Sequence, residues 1–216
     1  MLRLGVPAAG ESMSYQLAQI VIISFVNILG SSVVNAKIYV GLIASFAYLY
    51  CNALANATQV AEGWMLGAQR YDDADRRILR SLRSGVIVTT VLMTMVCLLS
   101  DQLVGIFTSD PEVLRIARMI LVIDIVLEIG RSCNITLVRA LQTAGDVRFP
   151  TALGIASAWL LTVPLAYYLG LVLGWGLVGI WAAMAVDECL RGAVLLVRWK
   201  YGAWRRIDLV RSSCAA

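Results

Sequence analysis

Apolar positions along this chain gather into runs far longer than the stripes of a soluble amphipathic helix. Uncharged stretches extend from Ser12 to Ala36, from Ile38 to Ala61 and from Phe149 to Val186. A shorter one, Ser84 to Ser100, continues past Asp101 to Phe107, and another runs from near Met119 to about Leu141, interrupted by Asp124, Glu128 and Arg131. A bilayer-spanning helix needs about 20 largely apolar residues. The longest run is nearly two crossings in length and splits at its glycine-rich centre, Gly170, Gly174, Gly176 and Gly179. Backbone groups in hydrocarbon must satisfy one another, and barrel strands of about 9–11 residues would alternate strictly, which these runs do not. The pattern predicts an all-α integral membrane protein, one bundle of about six transmembrane helices over residues 1–216, with spans near 8–30, 38–62, 84–107, 113–141, 149–169 and 177–197.

Between the runs the polar residues punctuate. Segment 71–83 places Asp72, Asp73 and Asp75 ahead of Arg76, Arg77, Arg80 and Arg83, with Ile78, Leu79 and Leu82 at helical spacing. That predicts an amphipathic interfacial helix with its acids at the favourable end of the dipole. Ser109 or Asp110 is expected to cap the fourth span, with Pro111 in its first turn. Pro164 has no donor for the helical ladder, so a kink is expected there, with Thr162 placed to relieve a nearby carbonyl.

Charge sets the orientation. Arg70, Arg76, Arg77, Arg80, Arg83, Arg148, Arg198, Lys200, Arg205, Arg206 and Arg211 fall on one side of the six-span arrangement, against Lys37, Arg115 and Arg118 on the other. The positive-inside bias puts both termini in the cytoplasm of a multi-pass cell-membrane protein. Composition agrees, with 60% hydrophobic residues, 15% charged and a mean hydropathy of +0.79, where soluble domains have about 25% charged residues. There is no histidine, which removes histidine-based dyads and metal sites, and the five cysteines lack ligand-like spacing and read as free thiols. The first span is too long for a cleaved signal peptide and has no basic n-region. No internal repeat is evident. Nothing forms a phosphate loop, metal cluster or nucleophile–base pair, so an enzyme is not expected, nor a nucleic-acid partner, a resident cofactor or a structural metal.

The informative residues are the polar ones inside the apolar runs. At 100° per residue, Asp124, Glu128 and Arg131 fall within about 60° of one another on the fourth helix. An unpaired charge at mid-bilayer costs at least ~2.5–3.5 kcal/mol on insertion scales, so the stripe faces protein or water. One acid can pair with Arg131, and the surplus carboxylate is then a candidate carrier of a proton or sodium ion. Asp187 and Arg191 stand four apart beside Glu188 on the sixth helix, the spacing of an internal ion pair or interfacial anchor. Glu11, at the mouth of the first span with Tyr15 on its face, is either a dipole partner or a second cavity carboxylate. An interfacial position beside Trp64 accounts for Glu62, and most of the six tryptophans read as interface anchors.

Three stretches resemble the multidrug and toxic compound extrusion (MATE) family, in particular its C-terminal six-helix lobe, over nearly the whole chain. They are Gly5-Val6-Pro7, the turn from Gly67 to Arg76, and Leu137 to Pro150 with its arginine followed by Gly145-Asp146-Val147-Arg148. The family's coupling-ion acid in this helix lies eleven residues before that arginine, here Arg139, and the count lands on Glu128. Asp124 falls where the family often has another polar group. The family's first-helix glutamate corresponds to Glu11, which sits about one turn closer to Pro7 than in well-known members. Arg131, Asn134 and Arg139 are expected to complete a supporting polar network.

The resemblance implies a secondary antiporter, half or fragment, exporting cationic or amphipathic small molecules in exchange for sodium ions or protons. It implies a second six-helix lobe or a homodimer partner, with membrane lipid around both. Two alternatives stand beside it: a related lipid-linked sugar flippase, expected to show a more cationic cavity, and a non-transporting membrane fragment or assembly subunit.

Overall fold

A computed structural model describes residues 2–206, without the side chains of residues 2–9, 11, 12, 203 and 206. Glu11 therefore lies on a described helix with its side chain outside the described residues, and Arg211 of the predicted tail lies outside them altogether. The described chain is helical from end to end. Helix α1 covers Leu2–Ile28, α2 Ser31–Gly67, α3 Tyr71–Leu98, α4 Ser100–Gly105 and α5 Pro111–Thr143. Then α6 (Arg148–Ser157), a π-helical turn (Ala158–Thr162), α7 (Val163–Tyr167) and a second π turn (Tyr168–Val172) form one rod, followed by α8 (Gly176–Lys200) and a 3₁₀ turn (Ala203–Arg206).

Three of these rods are long and apolar enough to cross a membrane by length and composition: α2, α3 and Arg148–Val172. Helix α1 contributes the shorter apolar stretch Met13–Ile28. Helices α5 and α8, of 33 and 25 residues, have the length but carry the charges that form the polar network.

Several boundaries differ from the sequence expectation. Gly30, at φ 107°, makes a tight turn straight after α1, so α2 starts at Ser31 and Lys37 lies inside the helix instead of in a connection. The amphipathic segment 71–83 is not a separate interfacial helix: the polar first turns continue without a break into the apolar run as far as Leu98. Nothing between Ser81 and Ser84 interrupts the ladder, since neither glycine nor proline stands there. The expected third span instead breaks at Leu99, and Ser100–Gly105 forms a short helix of its own. At the start of α3 Arg70 donates to Asp73 at 2.7 Å.

The expected cap of α5 and the expected Thr162 contact are both found. Asp110 is the cap of α5, its Oδ1 accepting from the Glu112 amide at 2.9 Å with Pro111 in the first turn. Pro164 sits between the two π turns, and the Thr162 hydroxyl donates to the Ser157 carbonyl at 3.3 Å. The missing proline donor is thus absorbed by widening the helix.

Helix α5 is the axle. It packs against α2, α3 and α8; its first half keeps an exposed stripe through Arg115, Met119, Val122 and Val126, and from Leu127 onward no residue of it is exposed. One apolar core joins Ile22, Val40, Ile120, Leu121, Leu127 and Ile180, and a second, toward the chain's C-terminal end, joins Leu66, Ile78, Leu137, Leu141, Leu195 and Trp199. The second core is strapped by side chains: Trp199 stacks on Trp204 at 4.3 Å between ring centres and donates to Asp75 at 2.7 Å. Between the two cores the helix interface is polar.

Candidate functional site

That polar layer forms where α5 and α8 come closest. A Cβ on Gly130 would lie 2.7 Å from the Cys189 backbone nitrogen and 2.9 Å from the Glu188 carbonyl carbon, so only glycine permits the approach. Gly192 answers it from α8, facing Cys133. With the backbones this near, side chains one turn away reach across.

Arg131 is the bridge. Its Nη1 donates to Glu128 Oε1, three residues earlier on the same helix, and its Nε lies 3.8 Å from Glu188 Oε1 on α8. Glu188 also accepts from Asn134 Nδ2 at 2.7 Å and pairs with Arg191 at 2.9 Å, while Arg191 reaches Asp187 at 3.0 Å. The carboxylates sit deep: Glu128 is 0% exposed, Asp124 2% and Glu188 6%. Glu128 keeps one oxygen, Oε2, buried with no hydrogen-bond partner, and so does Asp124 with its Oδ2. Buried polar atoms are ordinarily satisfied, and these two orphaned carboxylate oxygens belong to residues one helical turn apart on α5.

The structure separates residues that the sequence grouped. Asp124 makes no ion pair with Arg131; its Oδ1 accepts from Trp181 Nε1 at 3.0 Å. Trp181 is accordingly buried, not an interface anchor, because the α5–α8 approach places its indole over the acid. Arg139 lies in a different cluster, facing α2. It donates to Asn56 Oδ1, to Asn52 Oδ1 at 3.0 Å and to Gln59 Oε1 at 3.5 Å. Glu62 has no interfacial position either: it is 0% exposed and neither oxygen has a partner.

Glu188 is the residue whose role sequence reasoning missed. Its i+3 spacing to Arg191 was visible, but its attachment to α5 depends on the glycine-mediated contact between helices far apart in sequence.

Beside the network opens a groove of about 540 Å³, whose wall includes Tyr15, Tyr48, Gln59, Arg131, Arg139 and Glu188. A second, small space of about 10 Å³ lies between α1, the first π turn and α8, touching Tyr15, Thr162, Asp187 and Glu188. That is room for about one water molecule.

Comparison with known proteins accords with this architecture. Residues 7–168 match the MatE family model. The chain is 34% identical over 204 residues to the uncharacterized transporter YisQ of Bacillus subtilis, covering 94% of this chain and 45% of that protein. It is 29% identical over 206 residues to the probable multidrug resistance protein YoeA of the same organism, covering 93% and 44%. An outward-facing multidrug resistance MATE transporter of the MOP superfamily superimposes with a TM-score of 0.83 at 18% identity, covering 95% of this chain and 47% of its own. The chain thus spans somewhat less than half the length of the relatives it matches. With the family model covering residues 7–168 and the helices assembled as one lobe of that fold, the chain belongs to the MatE family of membrane transporters.

Proposed function

We propose that this chain is one lobe, the C-terminal one, of a secondary antiporter of the cell membrane that exports amphipathic or cationic small molecules in exchange for protons or sodium ions. The observation that carries the reading is the unpartnered Oε2 of the fully buried Glu128, held by Arg131, which itself lines the open groove. A carboxylate in that position exchanges a proton or sodium ion at little structural cost, because Arg131 and Glu188 continue to hold each other when Glu128 changes state. Rocking of the helices against a second lobe would then alternate access to the groove. The groove is open along one side, and a polar wall of this kind facing lipid is costly. A second six-helix unit, another lobe or another copy of this chain, is therefore its natural cover.

Transport is expected only when that cover is supplied. Vesicles containing the chain with a second lobe should accumulate or expel a fluorescent amphipathic dye when an ion gradient is imposed. A strictly monomeric particle with full gradient-driven transport would contradict the two-lobe reading. A dimer or paired complex that is correctly inserted yet never responds to any gradient would favour an assembly subunit.

Orientation is tested separately. Reporter fusions at Ala74 and Ala203 should report cytoplasm and one at Gly174 the opposite side, because the arginines cluster beside the first two positions. Opposite signals from Ala74 and Ala203 would be incompatible with an even number of crossings between them.

One observation favours the flippase relative as a second reading: three arginines, Arg131, Arg139 and Arg191, line the groove.

A further inference from the structure

Arg139 differs from the other two arginines of the groove. Arg131 and Arg191 are each matched by carboxylates, whereas among the described residues Arg139 has no acid within ion-pair distance. Its three partners, Asn52, Asn56 and Gln59, stand on one face of α2 and are neutral amides.

The orientation of those amides follows from the arginine. A guanidinium has donors only, so each amide must turn its oxygen toward Arg139 and its NH₂ away from it. The Asn52 NH₂ is spent on the Tyr48 carbonyl at 3.0 Å. The NH₂ groups of Asn56 and Gln59 have no acceptor in the described structure, and Gln59 lines the groove together with Arg139. What results is a positive charge fixed in place by oxygens, flanked by N–H donors, with no acid paired to it among the described residues. Among the described residues that line the groove, Glu188 is the one acid, and it is already engaged by Asn134 and Arg191. Glu62, Glu128, Asp124 and Asp187 are buried and form no part of the groove wall. Negative charge is thus concentrated in the helix interface, and positive charge on the surface that a substrate touches.

We propose that the Arg139–Asn56–Gln59 cluster is an oxyanion site, taking the carboxylate, phosphate or sulfonate of an amphipathic molecule in the groove. The planar fork of arginine suits such groups, which accept two parallel hydrogen bonds. The aromatic rings of Tyr15 and Tyr48 line the same groove and supply surface for the apolar part of the molecule. This rests on the groove being the substrate path, and it narrows the substrate class within that reading: compounds with an acidic group, zwitterions included, in preference to simple cations.

The test compares two dyes with one xanthylium core, rhodamine B, which has a free carboxylate, and its ethyl ester, binding to the full chain in lipid nanodiscs of phosphatidylcholine. The acid is expected to bind at least tenfold more tightly than the ester, and Arg139→Gln to abolish the difference. Arg139→Lys retains the charge without the fork and should keep part of the preference. Should Arg139→Gln fail to fold, the acid–ester comparison and the lysine variant still decide. Equal affinity for the two dyes, or a preference that survives in folded Arg139→Gln, overturns the proposal. Weaker dye binding in discs containing phosphatidylglycerol, relieved by Arg139→Gln, supports it and identifies a lipid phosphate as a competing occupant. A preference that disappears when a second lobe is paired with the chain means that a carboxylate of that lobe fills the site, and also overturns it. Binding needs no ion gradient, so an intact preference without gradient-driven efflux would count against the coupling scheme alone.

Discussion

Replacing Glu128 by glutamine should reduce gradient-driven efflux by at least about tenfold, with the amount of folded protein nearly unchanged. The amide is close in size to the carboxyl group, and its oxygen still accepts from Arg131. What glutamine lacks is the second oxygen as a charge: Oε2 of Glu128 is buried without a partner, and only a carboxylate can take up and release a proton or sodium ion there. Asp124→Asn is the comparison. Its Oδ1 hydrogen bond from Trp181 survives the change, and its distance from the Arg131–Glu188 bridge leaves that bridge intact, so a milder loss is expected. Dye efflux from vesicles under an imposed proton or sodium gradient, at matched protein abundance and with a second lobe supplied, makes the measurement. Full activity of Glu128→Gln would remove it from the carrier role, and a larger defect in Asp124→Asn would reassign that role to its neighbour.

The second large effect belongs to a glycine. Gly130→Ala should destabilise the helix pair by about 1–3 kcal/mol, the usual cost of forcing extra volume into a packed core. The added methyl group would meet the α8 backbone, which cannot swing aside as a flexible side chain can. Pushing α8 outward also draws Glu188 away from Arg131 and Asn134, so activity should fall further than stability alone explains. Gly130→Leu should abolish folding into detergent-stable protein. The control is Gly41→Ala on the exposed side of α2, where a Cβ meets nothing within 4 Å. It should be neutral or slightly stabilising, since alanine is favoured over glycine in helices by roughly 1 kcal/mol. Thermal unfolding midpoints in detergent report both, and a Gly130→Ala protein as stable as its parent would show that the two helices are free to separate.

The contrast between these two residues shows where sequence reasoning reaches and where it stops. Glu128 was legible because an acid inside an apolar run is costly, and because it shares a face with Arg131 by helical geometry alone. The role of Gly130 was not, since a glycine in a helix has no local signature separating a close approach from a tolerated surface position. Asp124 illustrates the same limit. Its angular position was right, yet its partner proved to be Trp181, a residue 57 positions away in a set of tryptophans read mostly as interface anchors.

Helix boundaries failed for related reasons. The turn at Gly30 and the unbroken rod from Tyr71 to Leu98 follow the backbone, which is helical through charged and apolar positions alike, whereas a hydropathy reading ends its spans where charges begin. The capped start of α5 and the adjustment around Pro164 were anticipated because each follows from chemistry within a few residues.

The sequence by itself determined the solvent in which this chain folds, its helical character, the polar stripe along α5 and the family likeness, since hydrophobic length and helical periodicity act locally and survive any arrangement of neighbours. Only the tertiary structure decided which charges meet: Arg131 with Glu188, Asp124 with Trp181, Arg139 with the amides of α2. The physical reason is the short range of these interactions. A hydrogen bond or buried ion pair forms within a few ångströms, and in this chain that distance is set by glycine contacts between helices more than fifty residues apart.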